Sequence, residues 1–428
     1  MALHESARSG DFQVAEKLAS EVDGTALTAS PEQRRRERVL LAILASVQFT
    51  SIVDFMVVMP LGPQLRRTLG ISPFQFGMIV SCYTISAGVA GLLASSVLDR
   101  FGRKHAFLTL YCGFLVGTLL CGLSFNYYSL LLARIVTGAF GGILGGMALA
   151  IIGDAFPEER RGRATGVLMS AFALASVVGV PFCFDLGTRF GWHFPFLLLA
   201  VLGLPVLFVA VKFLPLMRDH LADQVHTHPW RRIRDTFSEA NHLRAFVLIF
   251  AIMFGGFSVI PYISIYLVSN AGVIEKNLTL VYVTGGLLTL VGAPLIGRLA
   301  DRFGKLPVYR AVAAMAAMLM LVVTNLPVVP LALAVGVVGA LMLCNAGRMV
   351  AGLSIVTSSV EPSRRGGFMS ANSAVQHFAS GLGAFVSGKV IVTTPQGALQ
   401  NFGKVGLMAV AVTVLSLWLA GRVRPAVG

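Results

Sequence analysis

Apolar residues run through this chain in long blocks, separated by short polar stretches. Read with a window of about 19 residues, twelve blocks stand out. They fall at 39–63, 74–98, 105–125, 129–152, 163–188, 194–215, 244–269, 278–299, 307–325, 328–356, 366–393 and 404–421. A helix needs about 20 apolar residues to cross the hydrocarbon core, so the pattern predicts an all-α integral membrane protein with twelve transmembrane helices. The longest polar stretch, 216–243, lies between the sixth and seventh blocks and divides them into two six-helix bundles, 39–215 and 244–421. Residues 1–38 carry acids and no apolar run, so they read as an N-terminal tail rather than a secretory signal or transit peptide. Residues 422–428 form a short C-terminal tail, and an even number of spans puts both ends on one side.

Composition agrees with this reading. Of 428 residues, 56% are hydrophobic and 13% charged, and the mean hydropathy is +0.78. Soluble domains carry about 25% charged residues. A net charge of +14 would suit a nucleic-acid protein, but the positions of the charges explain it otherwise. The loops on the side opposite the termini hold only Arg66, Arg67, Arg189, Lys276 and Lys404. Basic clusters such as Arg34 to Arg36, Arg160 with Arg161, and Arg231 with Arg232 fall on the side of the termini. Lys and Arg favour the cytoplasmic side, so both termini are expected in the cytoplasm. The basic face would then meet anionic lipid heads, and no nucleic-acid partner is expected. The five cysteines all lie in apolar blocks without a CxxC or Cys/His pattern, so no metal or redox site is expected. There is no Walker loop, Ser-His-Asp set or HExxH motif, which argues against ATP coupling and against an enzyme.

The chain also repeats itself. Asp99-Arg100-Phe101-Gly102-Arg103-Lys104 follows the second block, and Gly297-Arg298-Leu299-Ala300-Asp301-Arg302-Phe303-Gly304-Lys305 follows the eighth. The two aspartates are 202 residues apart, close to half the chain. A basic loop alone is what the positive-inside rule gives, but two DRFG copies in register with a six-span repeat point to a transporter built from parallel halves. Here the chain resembles the major facilitator superfamily, whose signature loop residues 297–305 match closely. The first copy departs from it, with Ser95 where the glycine belongs, followed by Val97 and Leu98. Arg134 to Gly138, followed by Gly141, Gly142, Gly145 and Gly146, is similar to the family's fourth-span motif. Gly179-Val180-Pro181 with Gly191-Trp192 resembles the fifth span of the twelve-span drug and sugar efflux branch, although Phe182 and Cys183 replace the usual glycines. Gly347-Arg348-Met349, Arg365-Gly366, Asn372 and Gln376 have the look of that branch too.

The resemblance implies two pseudo-symmetric bundles that alternate access to a site between them, driven by a proton gradient without a cofactor. It also implies a cytoplasmic latch at Asp99, Arg100, Gly102, Arg103, Gly297, Asp301, Arg302, Gly304 and Lys305, and a helix break for gating at Gly179 and Pro181. A carboxylate at a helix N-terminus is stabilised by about 0.3–1 kcal/mol, a suitable size for a latch that opens repeatedly.

Charge inside a span costs about 2.5–3.5 kcal/mol on insertion scales and marks a functional hypothesis. Only Asp54 and Asp185 among the acids fall in blocks, Asp185 at an outer end where water reaches it. Asp54, expected near mid-membrane, is the candidate for exchanging a proton against substrate; the alternative is a static partner for Arg134 or Arg348. Arg134 is a proton-coupling candidate or an arginine that snorkels to water. Arg348 would bind an anionic group or pair with Asp54. His377 would titrate near neutrality or pack through hydrogen bonds. Candidate pocket-lining residues are Gln48, Phe49, Phe55 and Met56 around Asp54, Tyr262 and Tyr266 on one face by i,i+4 spacing, and Asn345, Asn372 and Gln376.

The expected function is proton-coupled efflux of small apolar or cationic compounds by a monomer in a bacterial inner membrane. The alternatives are a symporter or uniporter importing a sugar or metabolite, and a membrane receptor or scaffold that transports nothing.

Overall fold

With no water inside a bilayer, the backbone must satisfy its own polar groups, and an apolar block does so by becoming a helix. The computed structural model describes residues 31–97, 101–216, 239–361 and 365–426. The N-terminal half contains α1 (Pro31–Val57), a short α2 (Gly62–Leu69), α3 (Pro73–Val97), α4 (Arg103–Gly122), α5 (Tyr127–Ala155), α6 (Glu158–Leu174), α7 (Val180–Phe190) and α8 (His193–Phe213). The C-terminal half contains α9 (Ala240–Val259), α10 (Ile263–Ser269), α11 (Leu278–Phe303), α12 (Lys305–Thr324), α13 (Leu331–Ser358), α14 (Arg365–Val390) and α15 (Phe402–Ala420). Among the described residues, eleven helical stretches are long and apolar enough to cross a membrane. The twelfth long helix, α14, spans 26 residues but carries Asn372, Gln376, His377 and Ser380, which lower its hydropathy.

Several boundaries differ from the sequence expectation. The first helix starts at Pro31, about two turns before residue 39, and ends at Val57 rather than 63. The prolines cause the early stop: Pro60 sits in the turn that follows and Pro63 opens α2. The eleventh block stops as a helix at Val390, and Val392–Thr393 then pairs antiparallel with Leu399–Gln400 in a small hairpin. Asn270 pins this hairpin by bonding both the N–H and the C=O of Leu399, at 2.9 and 3.0 Å. Residues 1–30 of the expected tail and 217–238 of the expected linker lie outside the described residues.

Two spans are broken mid-course. Between α6 and α7, Ala175–Gly179 forms a π-turn in which the Val180 N–H reaches back to the Ala175 carbonyl. Pro181 has no N–H to continue the regular ladder, and an inserted π-turn is one way of accommodating that. Between α9 and α10, Pro261 sits in a 3₁₀ turn, Ile260–Tyr262.

The arrangement of the core shows how the halves meet. One large apolar cluster joins Val57, Leu61, Phe76 and Phe184 of the first half to Tyr262, Ile265, Leu278 and Phe402 of the second. It occupies the end of the molecule distal to the chain termini. Toward the terminal end the core divides in two: Leu44, Phe107, Phe114 and Ile151 pack within the first half, and Ile249, Tyr309, Val356 and Phe368 within the second. Polar contacts between the halves gather at the distal end as well. Ser264 donates to the Met59 carbonyl, Arg67 pairs with Glu275, and Arg66 donates to the Thr393 hydroxyl. Further along, Ser81 donates to the Gly381 carbonyl at 2.7 Å. Helices α3 and α14 touch at Gly77 and again at Gly88, but a side chain added at Gly91 would meet nothing within 4 Å. The halves are sealed at the distal end and part toward the end that carries the termini.

Candidate functional site

The chemistry concentrates in the first half, where four helices bring polar groups together in an apolar setting. Asp54 lies in the last turn of α1. Arg134, two turns into α5, donates from Nη1 to Asp54 Oδ2 at 2.8 Å. Thr118, one turn from the end of α4, donates to Asp54 Oδ1 at 3.1 Å. The guanidinium also lies over the Tyr83 ring of α3, 4.2 Å from its centroid. Both charged side chains are 0% exposed, so Arg134 does not snorkel, and Arg134 rather than Arg348 is the partner of Asp54.

Small residues on α5 allow this convergence. A Cβ at Gly138 or Gly142 would collide with α3 at Tyr83 and Ala87, and one at Gly141 would come 2.9 Å from the Tyr83 hydroxyl. Close approach of α3 and α5 at glycine is what places the tyrosine ring against the guanidinium. Ser51 donates to the Gly141 carbonyl and ties α1 to the same seam, at 3.4 Å.

As a pair, Asp54 and Arg134 are electrically neutral. Arg134 Nη1 also donates to the Asp54 carbonyl at 3.5 Å, while Nε and Nη2 have no partner, so Asp54 is the only residue whose oxygens it bonds among the described residues. Protonating Asp54 would leave a buried guanidinium facing a neutral acid, and losing one partner of a buried pair destabilises by about 3–5 kcal/mol. Loading a proton and separating the pair are therefore linked events.

The second half has a buried arginine of a different kind. Arg348 of α13 is 1% exposed. It donates to Thr413 Oγ1 of α15 at 3.1 Å, to the Ile252 carbonyl of α9 at 3.1 Å, and to Asn345 Oδ1 at 2.8 Å. Among the described residues no carboxylate stands within ion-pair distance of it.

The other expected site residues separate into groups. Phe55 reaches across the halves, stacked on Tyr83 at 5.0 Å and tilted against Phe257 of α9 at 5.9 Å. Phe49 packs beside Gly179, Met56 Sδ lies 3.9 Å from the Ser176 hydroxyl, and Gln48 sits near Gly145 with its Oε1 unbonded. Asn372 is fully buried with both amide atoms unbonded, while Gln376 and His377 are half-buried, His377 beside Gly88 at the α3–α14 seam. Tyr262, the last residue of the 3₁₀ turn, donates to the Ala384 carbonyl, and Tyr266, on α10, donates to the Leu326 carbonyl. Both belong to the sealed distal core.

In the two Asp-Arg-Phe-Gly loops, Gly102 is the N-cap of α4, and Arg103 pairs with Asp154 at the end of α5 at 2.9 Å. The equivalent Lys305 donates to the Ser354 carbonyl of α13 at 3.4 Å. Asp301 and Arg302 are exposed on the last turn of α11, which includes Gly297, and Gly304 takes a φ of +94° that favours glycine. Asp99 and Arg100 lie outside the described residues. Asp185 pairs with Arg189 at the distal surface. Sequence reasoning missed Thr118, Tyr83 and Thr413, each an uncharged polar side chain in a largely apolar helix whose partner lies far away in the chain. No group of three potential metal ligands occurs among the described residues.

The comparisons with known proteins fit this architecture. The family model described as Major Facilitator Superfamily matches residues 44–384 and again 245–428. The chain belongs to that superfamily. Membership makes it a secondary transporter working by alternating access rather than an enzyme. The uncharacterized MFS-type transporter YceJ of Bacillus subtilis is 23% identical over 376 residues, 87% of this chain and 93% of that protein. Multidrug resistance protein 3 of the same organism is 26% identical over 198 residues, 46% of this chain, and the match spans only 38% of that longer protein. Among solved structures, a bacterial homolog of the human lysosomal transporter Spinster, inward-facing and occupied, superposes with a TM-score of 0.73 at 16% identity. That match covers 93% of this chain and 98% of the other.

Proposed function

We propose that this transporter exports small organic compounds in exchange for protons across a bacterial inner membrane. In this reading it acts as a monomer, with both termini and the basic latch loops in the cytoplasm against anionic lipid heads. The observation that carries the reading is the Asp54–Arg134 pair. Asp54 is the only acidic side chain among the described residues that is fully buried, and its partner is an arginine on another helix of the same half. A proton that reaches Asp54 loosens that pair, and losing the proton restores it, so proton movement acts on the packing of α1 against α5. Because Asp54 is sealed and bonded, the geometry favours a proton role for it over direct contact with a cationic compound. The π-turn before Pro181 supports the reading, since a Cβ at Gly179 would collide with Val53 on α1, next to Asp54. Rocking of α7 and a change at the pair are thus mechanically connected. Likeness to a multidrug resistance protein supports the outward direction.

Reconstituted wild type and Asp54→Asn, given an imposed pH gradient and a panel of cationic drugs, neutral drugs and sugars, test the proposal. Substrate flow against the proton gradient that vanishes in Asp54→Asn is expected. Flow of substrate with the proton would establish import, and flow indifferent to the gradient in both proteins would leave a facilitator.

A further inference from the structure

The two halves treat their buried arginines differently. Arg134 has a carboxylate; Arg348 is held by a hydroxyl, a main-chain carbonyl and an amide oxygen, all neutral. Its Nε has no partner, and neither does Asn345 Nδ2 one turn away. A buried cation without a counter-charge is unfavourable, and the neutral acceptors offset only part of that. The surroundings leave room for the guanidinium: a Cβ at Gly256 on α9 would come 3.2 Å from Arg348 Nη2 and 3.8 Å from Asn345 Oδ1.

The position of this group relates it to the path between the halves. Asn345 is partly exposed, so the arginine stands one side chain behind an accessible surface. Gly256 adjoins Phe257, and Phe257 meets Phe55 of the opposite half, both partly exposed. An aromatic surface from both halves thus adjoins an uncompensated cation and an unbonded amide donor.

From this juxtaposition we infer that Arg348 and Asn345 form an anion-binding subsite, and that the transported compounds include monoanionic organic acids with an aromatic or apolar body. The carboxylate takes the counter-charge position at Arg348, with Asn345 Nδ2 as a second donor, and the apolar body lies toward Phe257 and Phe55. Charge-assisted hydrogen bonds from a guanidinium suit a carboxylate in number and direction. The inference deepens the exporter reading by naming a substrate class. Its test uses binding at equilibrium without a gradient, so it stands or falls separately from the direction of transport and the role of Asp54.

The probes are 2-naphthoate, 2-naphthamide and 2-naphthylmethylamine, three ligands with one aromatic body and a terminal group that is anionic, neutral or cationic. Binding to the purified full-length protein is measured by calorimetry. Wild type is expected to bind naphthoate at least tenfold more tightly than the amide or amine, and more tightly than acetate or chloride. Arg348→Gln is expected to abolish that preference. As Arg348→Gln removes two interhelical bonds and one within α13, Asn345→Asp provides the second variant: it keeps the side-chain shape and supplies an internal carboxylate at the guanidinium. Asn345→Asp is expected to lose the naphthoate preference while its melting temperature rises. A purely structural Arg348 would leave the ratio of naphthoate to naphthamide affinity unchanged in Asn345→Asp, and that result would overturn the inference. Equal affinities of wild type for the three probes, no binding of naphthoate up to millimolar concentration, or equal protection by chloride would overturn it as well.

Discussion

Replacing Asp54 with asparagine keeps the side-chain volume and leaves the Thr118 hydroxyl a partner, but strands Arg134 with no carboxylate. Neither Arg134 nor Asp54 has any exposure, so water cannot take over the lost interaction. The Tyr83 ring lies under the guanidinium already and offers no new compensation. Removing one partner of such a pair destabilises by about 3–5 kcal/mol, which at 1.4 kcal/mol per factor of ten is roughly two to three orders of magnitude in an equilibrium constant. Replacing the whole pair is a different perturbation, since exchanging both buried charges for neutral groups is often close to neutral in stability. Asp54→Asn and Arg134→Gln are therefore each expected to lower thermal stability in detergent, and the double variant to regain most of it. Proton flux in proteoliposomes is expected to be lost in all three. The two readouts separate a coupling pair from a static one. A double variant that regained both stability and proton-coupled transport would refute the mechanism, and an Asp54→Asn protein as stable as wild type would refute the burial argument beneath it.

Three further outcomes follow from the packing. Gly179→Ala places a methyl group against Val53 and within 2.9 Å of Phe49 Cζ, so a loss of about 1–3 kcal/mol from overpacking is expected, read as a lower melting temperature with slower transport. Pro181→Ala restores the missing N–H beside the π-turn; slower transport by severalfold without loss of stability is expected, and unchanged rates would remove the gating role. Arg67→Ala breaks the distal pair with Glu275, in which Arg67 is 63% exposed; the worth of such a pair, about 0–1 kcal/mol, predicts less than tenfold faster labelling of a cysteine introduced at Ala271.

Much of the fold was legible because apolar blocks in a bilayer have few alternatives to a helix. The repeat of Asp-Arg-Phe-Gly at 99 and 301 carried the two-half organisation into the sequence reading. Less visible were the points where spans stop or break, since the effect of a proline depends on its neighbours: Pro181 accompanies a π-turn and Pro261 a 3₁₀ turn, while Pro205 and Pro294 sit inside helices. Tyr262 ends that 3₁₀ turn and bonds the Ala384 carbonyl, whereas Tyr266 on α10 bonds the Leu326 carbonyl, partners that i,i+4 spacing does not reveal. Asp54 and Arg134 stand out as rare charges in apolar blocks, but their pairing joins positions 80 residues apart, and spacing alone left Arg348 as an equal partner. Thr118 and Tyr83 gave no sequence signal because a single hydroxyl in a span more often bonds its own helix, as Thr137 does to Ala133 here.

The central claim is that protons and a small organic compound move in opposite directions through one rocking transporter. Proteoliposomes loaded with a transported compound and a pH-sensitive dye, diluted into compound-free buffer at equal pH, test this most directly. Exchange predicts that the lumen acidifies as the compound leaves, at a rate set by its gradient, and that Asp54→Asn gives no pH change. A lumen that turns alkaline as the compound leaves, or stays at constant pH in wild type, would contradict it.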